Sequence, residues 1–207
     1  PLTPGHPFLA EDIADRIVIT PHIGANTVEA QSEVSRIAAQ NMLSVLRGEP
    51  YNHAVNLPFL EQALNNDQRM YLSLSRKIGL LAAKLAQVRG SAPHKCHVTL
   101  RGPLFDDEEK RLANKLRPYT IAVLKGMLEI SIGTPVSYML APLLAKDRDI
   151  SIDESYGEPR TYKNTIEVEL ETAKGSVSLL ATITEEGRQR IVRVNDYWVD
   201  FVPTGKL

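Results

Sequence analysis

The chain has 207 residues, 43% of them hydrophobic and 24% charged, with a formal net charge of -1 at pH 7. That balance suits a soluble globular protein of one or two domains and argues against a nucleic-acid binder, which needs a clear basic excess to neutralise phosphates. The one cysteine, Cys96, excludes an internal disulfide and fits a reducing cytoplasmic compartment.

No apolar run approaches the roughly 18 residues of a membrane span. The opening Pro1-Leu2-Thr3-Pro4-Gly5-His6-Pro7 lacks both the basic start and the apolar stretch of a signal peptide. The absence of an initiator Met reads as a fragment, or as a processed or trimmed start. Residues 1–14 are proline-rich and read as an irregular approach to a short buried strand, Arg16-Ile17-Val18-Ile19-Thr20, stopped by Pro21. After the loop His22-Ile23-Gly24-Ala25, Asn26 or Thr27 can cap a helix over 27–47. Its apolar positions Ala30, Val34, Ile37, Ala38, Met42, Val45 and Leu46 recur at helical spacing, and Gly48 and Pro50 end it.

Tyr51 to Pro58 reads as a linker. A helix follows over 67–88, with Met70, Leu74, Ile78, Leu81, Leu85 and Val88 on one side, and then an alternating strand from Lys95 to Leu100. Asp106 with Glu109 forms a capping box for a helix through Leu112 and Leu116. Pro118 breaks that helix, and its second half runs from Tyr119 to Glu129. A further helix covers Pro135 to Lys146. Strands are expected at 150–154, 162–171, 176–184, 189–194 and 197–202, with turns at Lys174-Gly175, Glu186-Gly187 and Asn195-Asp196. Helices first and antiparallel hairpins last make this an α+β fold.

Ile19-Thr20-Pro21-His22-Ile23-Gly24-Ala25-Asn26-Thr27, then Glu29-Ala30-Gln31, resembles the end of the nucleotide-binding domain of D-2-hydroxyacid dehydrogenases, where a histidine loop leads into a long crossover helix, and Ala54-Val55-Asn56-Leu57-Pro58 resembles the exit from that helix in phosphoglycerate dehydrogenases. Arg101-Gly102, Ala122-Val123-Leu124-Lys125-Gly126, Ala145-Lys146 and Arg190-Ile191-Val192-Arg193-Val194-Asn195 resemble the extra, allosteric substrate-binding domain of the long members. Val199 to Leu207 resembles the entry into a serine-binding ACT domain. Asp149 and Asp196 stand where that family often has glycine, and Leu140 where it often has asparagine. The resemblance implies a Rossmann-type remnant with its crossover helix at 1–50, a linker at 51–58, a regulatory domain at 59–202 and the start of a truncated ACT linker at 203–207.

The same resemblance implies that His22 is the acid/base residue of the parent enzyme, since moving a hydride at a hydroxyl-bearing carbon needs a matching proton transfer. Its carboxylate and arginine partners are expected upstream of residue 1. The parent would use NAD to oxidise 3-phospho-D-glycerate to 3-phosphooxypyruvate in serine biosynthesis. No Gly-x-Gly occurs in the chain, so the phosphate-cradling turn is missing, and this piece is expected to bind no cofactor and to be inactive. The alternative is a non-catalytic anion-sensing or oligomerisation module.

The regulatory domain of the family can hold a small anion. Arg160, Lys163, Arg188 and Arg190 lie around the expected hairpins and can form such a patch. They also read as ordinary solvated surface, the reading the sequence favours, because Glu154, Glu158, Glu185 and Glu186 interleave with them. His94, Cys96 and His97 are spaced too closely for the usual zinc patterns, and no metal is expected. Tyr197, Trp198 and Phe201 read as packing residues. The expected partners are a small-molecule substrate or anionic effector and further copies of the chain, with no nucleic acid and no membrane. Homo-oligomerisation is expected because the stripe on the 27–47 helix lacks a covering domain.

Overall fold

The strand alternation seen after residue 150 closes into one six-stranded sheet with its helices on a single face, an α+β fold. A computed structural model describes residues 5–10, 13, 16–47, 57–105 and 116–204. Most of the expected linker over Tyr51–Pro58, including Ala54-Val55-Asn56, and the expected capping box and helix from Asp106 through Leu112 lie outside the described residues. The chain divides into two units, Pro1–Ala54 and Val55–Leu207. No helix among the described residues is long and apolar enough to cross a membrane.

In the first unit, a 3-10 turn at Pro7–Leu9 is capped by His6. The expected strand at 16–20 does not form. Residues 17–20 pair with no strand among the described residues, and Val18 is 90% exposed. A strand needs a neighbour to satisfy its backbone groups, and none lies beside this one among the described residues. Helix α1 spans Val28–Arg47. Thr27 rather than Asn26 supplies its cap, the Thr27 hydroxyl accepting from the Ala30 N–H at 3.1 Å.

The second unit begins with α2, Asn66–Val88, opened by a reciprocal capping box between Asn65 and Gln68. Its buried face is Tyr71, Leu74, Ser75, Ile78, Gly79, Ala82, Ala83 and Ala86, so Val88, expected on that face, is exposed. The small residues let α3, Pro118–Ile132, cross α2 at close range. A Cβ added to Gly79 would lie 2.1 Å from the Val123 carbonyl oxygen, and one added to Gly126 would lie 2.0 Å from that of Arg76. Pro118 fits at the first turn of α3, where a missing N–H costs nothing. The expected helix at 135–146 is shorter: α4 spans Leu140–Asp147, with the Ser137 hydroxyl accepting from the Leu140 N–H at 3.2 Å.

The strands are β1 Pro93–Arg101, β2 Ser151–Gly157, β3 Thr165–Thr172, β4 Gly175–Ile183, β5 Gln189–Val194 and β6 Tyr197–Phe201. Their order is β2-β1-β3-β4-β5-β6. The sheet is mixed rather than wholly antiparallel. β1 and β2 run parallel, because the chain between them returns through α3 and α4, the long connection a parallel pair requires. Alternate residues Cys96, Val98 and Leu100, with Ile166, Val168, Leu170, Leu179, Ala181 and Ile191, pack under α2 and α3. The other face is polar, as one side of such a sheet is free to be.

Three links fix the end of the domain where β1 finishes. Tyr71, Phe105 and Tyr119 form two edge-to-face contacts with centroids 5.3 and 4.8 Å apart. Arg117 precedes α3 without offering a side-chain cap, and Glu154 of β2 takes that part. Its carboxylate accepts from the Arg117 backbone N–H at 3.1 Å and from the hydroxyls of Thr120 and Tyr156. Finally, Gly102, at φ +110°, sits against the Lys163 carbonyl, where a side chain has no room.

Candidate functional site

The polar face of the sheet is legible from register. Thr99 of β1 lies beside Glu167 of β3, which lies beside Leu180 of β4, then Arg193 of β5 and Trp198 of β6. Side chains at paired positions share a face, so this row carries one carboxylate, one guanidinium and one indole across five adjacent strands. Arg101, two residues beyond Thr99, shares that face. Arg160 reaches it from the loop between β2 and β3.

These residues enclose a pocket of about 170 Å³ lined by Arg101, Arg160, Glu167, Leu180, Arg193 and Trp198, with Thr161, Tyr162 and Thr165. Arg101 donates to Glu167 Oε2 at 2.7 Å, and Arg193 pairs with Glu167 Oε1. All three are largely covered, with side-chain exposures of 16%, 27% and 21% for Arg101, Arg193 and Glu167. Arg193 Nε is buried with no hydrogen-bond partner, and Arg160 makes no ion pair among the described residues. Three guanidinium groups against one carboxylate leave the lining with two uncancelled positive charges.

The loop that presents Arg160 is held by Asn164. Its side-chain oxygen accepts from the Leu104 N–H at 3.0 Å, and its carbonyl accepts from the hydroxyls of Tyr71 at 2.9 Å and Thr182 at 2.7 Å. One asparagine thus ties the loop to α2, to β4 and to the turn after β1. The arginine fork suits a bidentate anion contact, and a pocket of this size admits a small molecule only.

Of the four bases expected from the sequence to form an anion patch, Arg160 lines this pocket. Lys163 is exposed. Arg188 pairs with Glu186 at 3.3 Å in the β4–β5 turn, and Arg190 pairs with Asp200 of β6 at 3.3 Å. Arg101 and Arg193 take their place. Arg101 sits out of phase with the buried residues of β1, whereas Arg193 shares the parity of buried Ile191, and the bulge between them turns it to the polar face. Trp198, expected to pack, is 67% exposed and walls the pocket, and Tyr197 and Phe201 are also exposed. Among the described residues their strand is an edge of the sheet.

His22 lies on an exposed bend between residues 17–20 and α1. No two glycines of the chain stand in the Gly-x-Gly spacing of a phosphate-cradling turn. Near the metal-like triplet, a bulge displaces His94 from the ladder to an exposed position. Cys96 is buried, and His97 Nε2 lies 3.0 Å from Ser155 Oγ. Among the described residues no group of three or more His, Cys, Asp or Glu can hold a metal ion. Two wider concavities, of about 650 and 580 Å³, lie between α2, α3 and the start of β1 and beside Tyr156. Neither gathers more than one cation, from Arg148 in the first.

A family model described as the D-3-phosphoglycerate dehydrogenase intervening domain matches residues 68–195. A D-3-phosphoglycerate dehydrogenase from Archaeoglobus fulgidus is 35% identical over 208 residues, covering 99% of this chain and 36% of that protein. One from Methanocaldococcus jannaschii is 29% identical, covering 93% and 35%. One from Bacillus subtilis is 28% identical, covering 92% and 35%. The chain therefore spans about a third of the length of these relatives.

Proposed function

The chain belongs to the D-3-phosphoglycerate dehydrogenase intervening-domain family, and from that premise we propose that its second unit senses a small anion for an oxidoreductase of that name. The observation that carries this is the pocket that Arg101, Arg160 and Arg193 line together with a single carboxylate, Glu167. Two surplus positive charges, a buried Nε–H without a partner and an indole wall form a receptor for a small anion rather than a structural ion pair, which would balance its charges.

The parent would oxidise 3-phospho-D-glycerate with NAD, in the cytoplasm, as the entry to serine biosynthesis. In that reading residues 1–50 are the end of a nucleotide-binding domain and its crossover helix, residues 59–202 form the regulatory domain, and His22 moves the proton that accompanies hydride transfer. The chain alone would be inactive and would bind no NAD, because its residues supply no phosphate-cradling turn. Saturable NAD binding by these 207 residues in calorimetry would overturn that part.

Phosphate titration tests the sensing role. Trp198 is the only tryptophan in the chain and lines the pocket, so its fluorescence reports occupancy. Saturable phosphate binding is expected and should be lost in Arg160→Ala. Binding that survives this substitution unchanged counts against the site.

The apolar positions of α1 support self-association. Val34, Met42, Leu43 and Leu46 are exposed, and a stripe of that length favours burial against another copy. Light scattering should give at least a dimer mass, and Met42→Lys with Leu46→Lys should reduce it to that of a monomer.

A further inference from the structure

The geometry points to Glu167 as a built-in competitor that sets the charge of the ligand this pocket admits, an inference that rests on the anion reading above. Glu167 already occupies both strand-borne arginines of the pocket, one carboxylate oxygen on Arg101 and the other on Arg193. An incoming anion meets Arg160 first, which has no ion-pair partner among the described residues; the Nε–H of Arg193 is also unpartnered but buried. It must then share Arg101 and Arg193 with a carboxylate tethered in place.

Two consequences follow from the chemistry of the lining. A monoanion brings no more charge than Glu167 supplies, and it arrives at the cost of its own desolvation. It has little to gain from guanidinium groups that Glu167 already holds. A small dianion matches the two positive charges that Glu167 leaves uncancelled, and it can span Arg160 and Arg193 with separate oxygens. Glu167 thus rejects small monocarboxylates and tunes affinity for dianions such as phosphate or a phosphate monoester. Its backbone is fixed on β3, between β1 and β4, and its two ion pairs hold the carboxylate at the pocket. The ligand and Glu167 therefore remain neighbours, and their repulsion lowers the affinity.

The test uses the 207-residue chain, with phosphate and acetate as probes and Trp198 fluorescence as the readout. The wild-type chain should bind phosphate, and acetate at the same concentration should not displace it. Glu167→Gln removes one negative charge with little change of shape. It should bind phosphate roughly five-fold tighter or more, the effect of one unit charge a few ångströms away in a partly solvated site. Unchanged or weaker phosphate binding by Glu167→Gln would mean that Glu167 only braces the arginines, and would overturn the proposal while leaving the anion pocket standing. Displacement of phosphate by equal acetate in the wild type would do the same. Failure of the wild type to bind phosphate at all would remove the pocket reading and this proposal together. A readout needing no substitution is the Arg193 Nε–H resonance in the wild-type chain. It should shift as phosphate saturates, and a resonance that stays fixed through saturation overturns the proposal even if Glu167→Gln does not fold.

Discussion

Gly79 of α2 faces the backbone of Val123 in α3 so closely that a Cβ at position 79 would lie 2.1 Å from the Val123 carbonyl oxygen. The neighbour is backbone, fixed in its own helix, so it cannot rotate away as a side-chain tip would. Gly79→Ala must therefore push the helices apart over a core that both of them cover. The same holds for Gly126→Ala against Arg76. Each should cost about 3 kcal/mol, the upper end of overpacking, even though Ala is the better helix former. For a chain of this size that is a fall in Tm of about 6–12 °C by calorimetry. A rise in Tm, as helix propensity alone predicts, would refute the close crossing.

Glu154 ties β2 to the start of α3. Its carboxylate takes the Arg117 N–H and the hydroxyls of Thr120 and Tyr156, while Arg117 Nε donates to the Tyr156 oxygen at 2.9 Å. Burial, then the Glu154 hydrogen bond and charge, push the Tyr156 hydroxyl up to about 12. Glu154→Gln keeps the shape but removes the charge that strengthens these bonds, and should cost about 2 kcal/mol. It should also move tyrosinate formation at Tyr156 to lower pH in an ultraviolet titration. An unaltered titration curve would show that the pair is not coupled.

Glu129 gives the second unit an acid-sensitive link. Burial alone would raise its pKa, but hydrogen bonds from Lys125 and Arg76, with the Val136 N–H, outweigh burial and hold it below its usual 4.5. A carboxylate depressed in the fold stabilises it above the unfolded pKa, and that contribution is lost as pH falls through the folded one. Glu129→Gln should therefore be less stable than wild type at neutral pH. It should also lose less stability between about pH 5 and pH 3. Parallel acid limbs for the two proteins in denaturant titrations would show that Glu129 is not the linked group.

The last five strands were legible because each alternates polar and apolar residues over a known turn signal. Gly175, Gly187 and Asn195 all take positive φ, as turn residues there should. Asp149, standing where the family often has glycine, also takes positive φ, at 55°, so that backbone kink survives without the residue best suited to it. The buried face of α2 was less legible, since Gly79, Ala82, Ala83 and Ala86 carry little hydrophobicity and are buried for closeness rather than for area. The parallel pairing of β2 with β1 rests on a connection of some fifty residues, part of it outside the described residues, and no local pattern encodes that. The pocket was legible only in Arg160. Arg101 and Arg193 lie more than ninety residues apart, and they converge through the register of β1, β3, β4 and β5, which no single strand reveals.

Cys96 offers a probe of how cooperatively this architecture opens. It sits on β1 beneath the helices, fully covered, and burial, with a contribution from the Asp153 charge, pushes its thiol up to about 12. The thiolate is the reactive species, so at neutral pH the folded chain presents neither access nor ionisation. Labelling by a thiol reagent should be negligible in the native protein. β1 is an interior strand of the sheet, between β2 and β3, so exposing Cys96 requires separating strands and lifting α2, which is loss of the core itself. The denaturant midpoint for labelling should therefore coincide with that for loss of helical circular dichroism. Stoichiometric labelling under native conditions, or a labelling midpoint well below the dichroism midpoint, would mean that β1 opens in a sub-global step and that the six strands are not one cooperative unit.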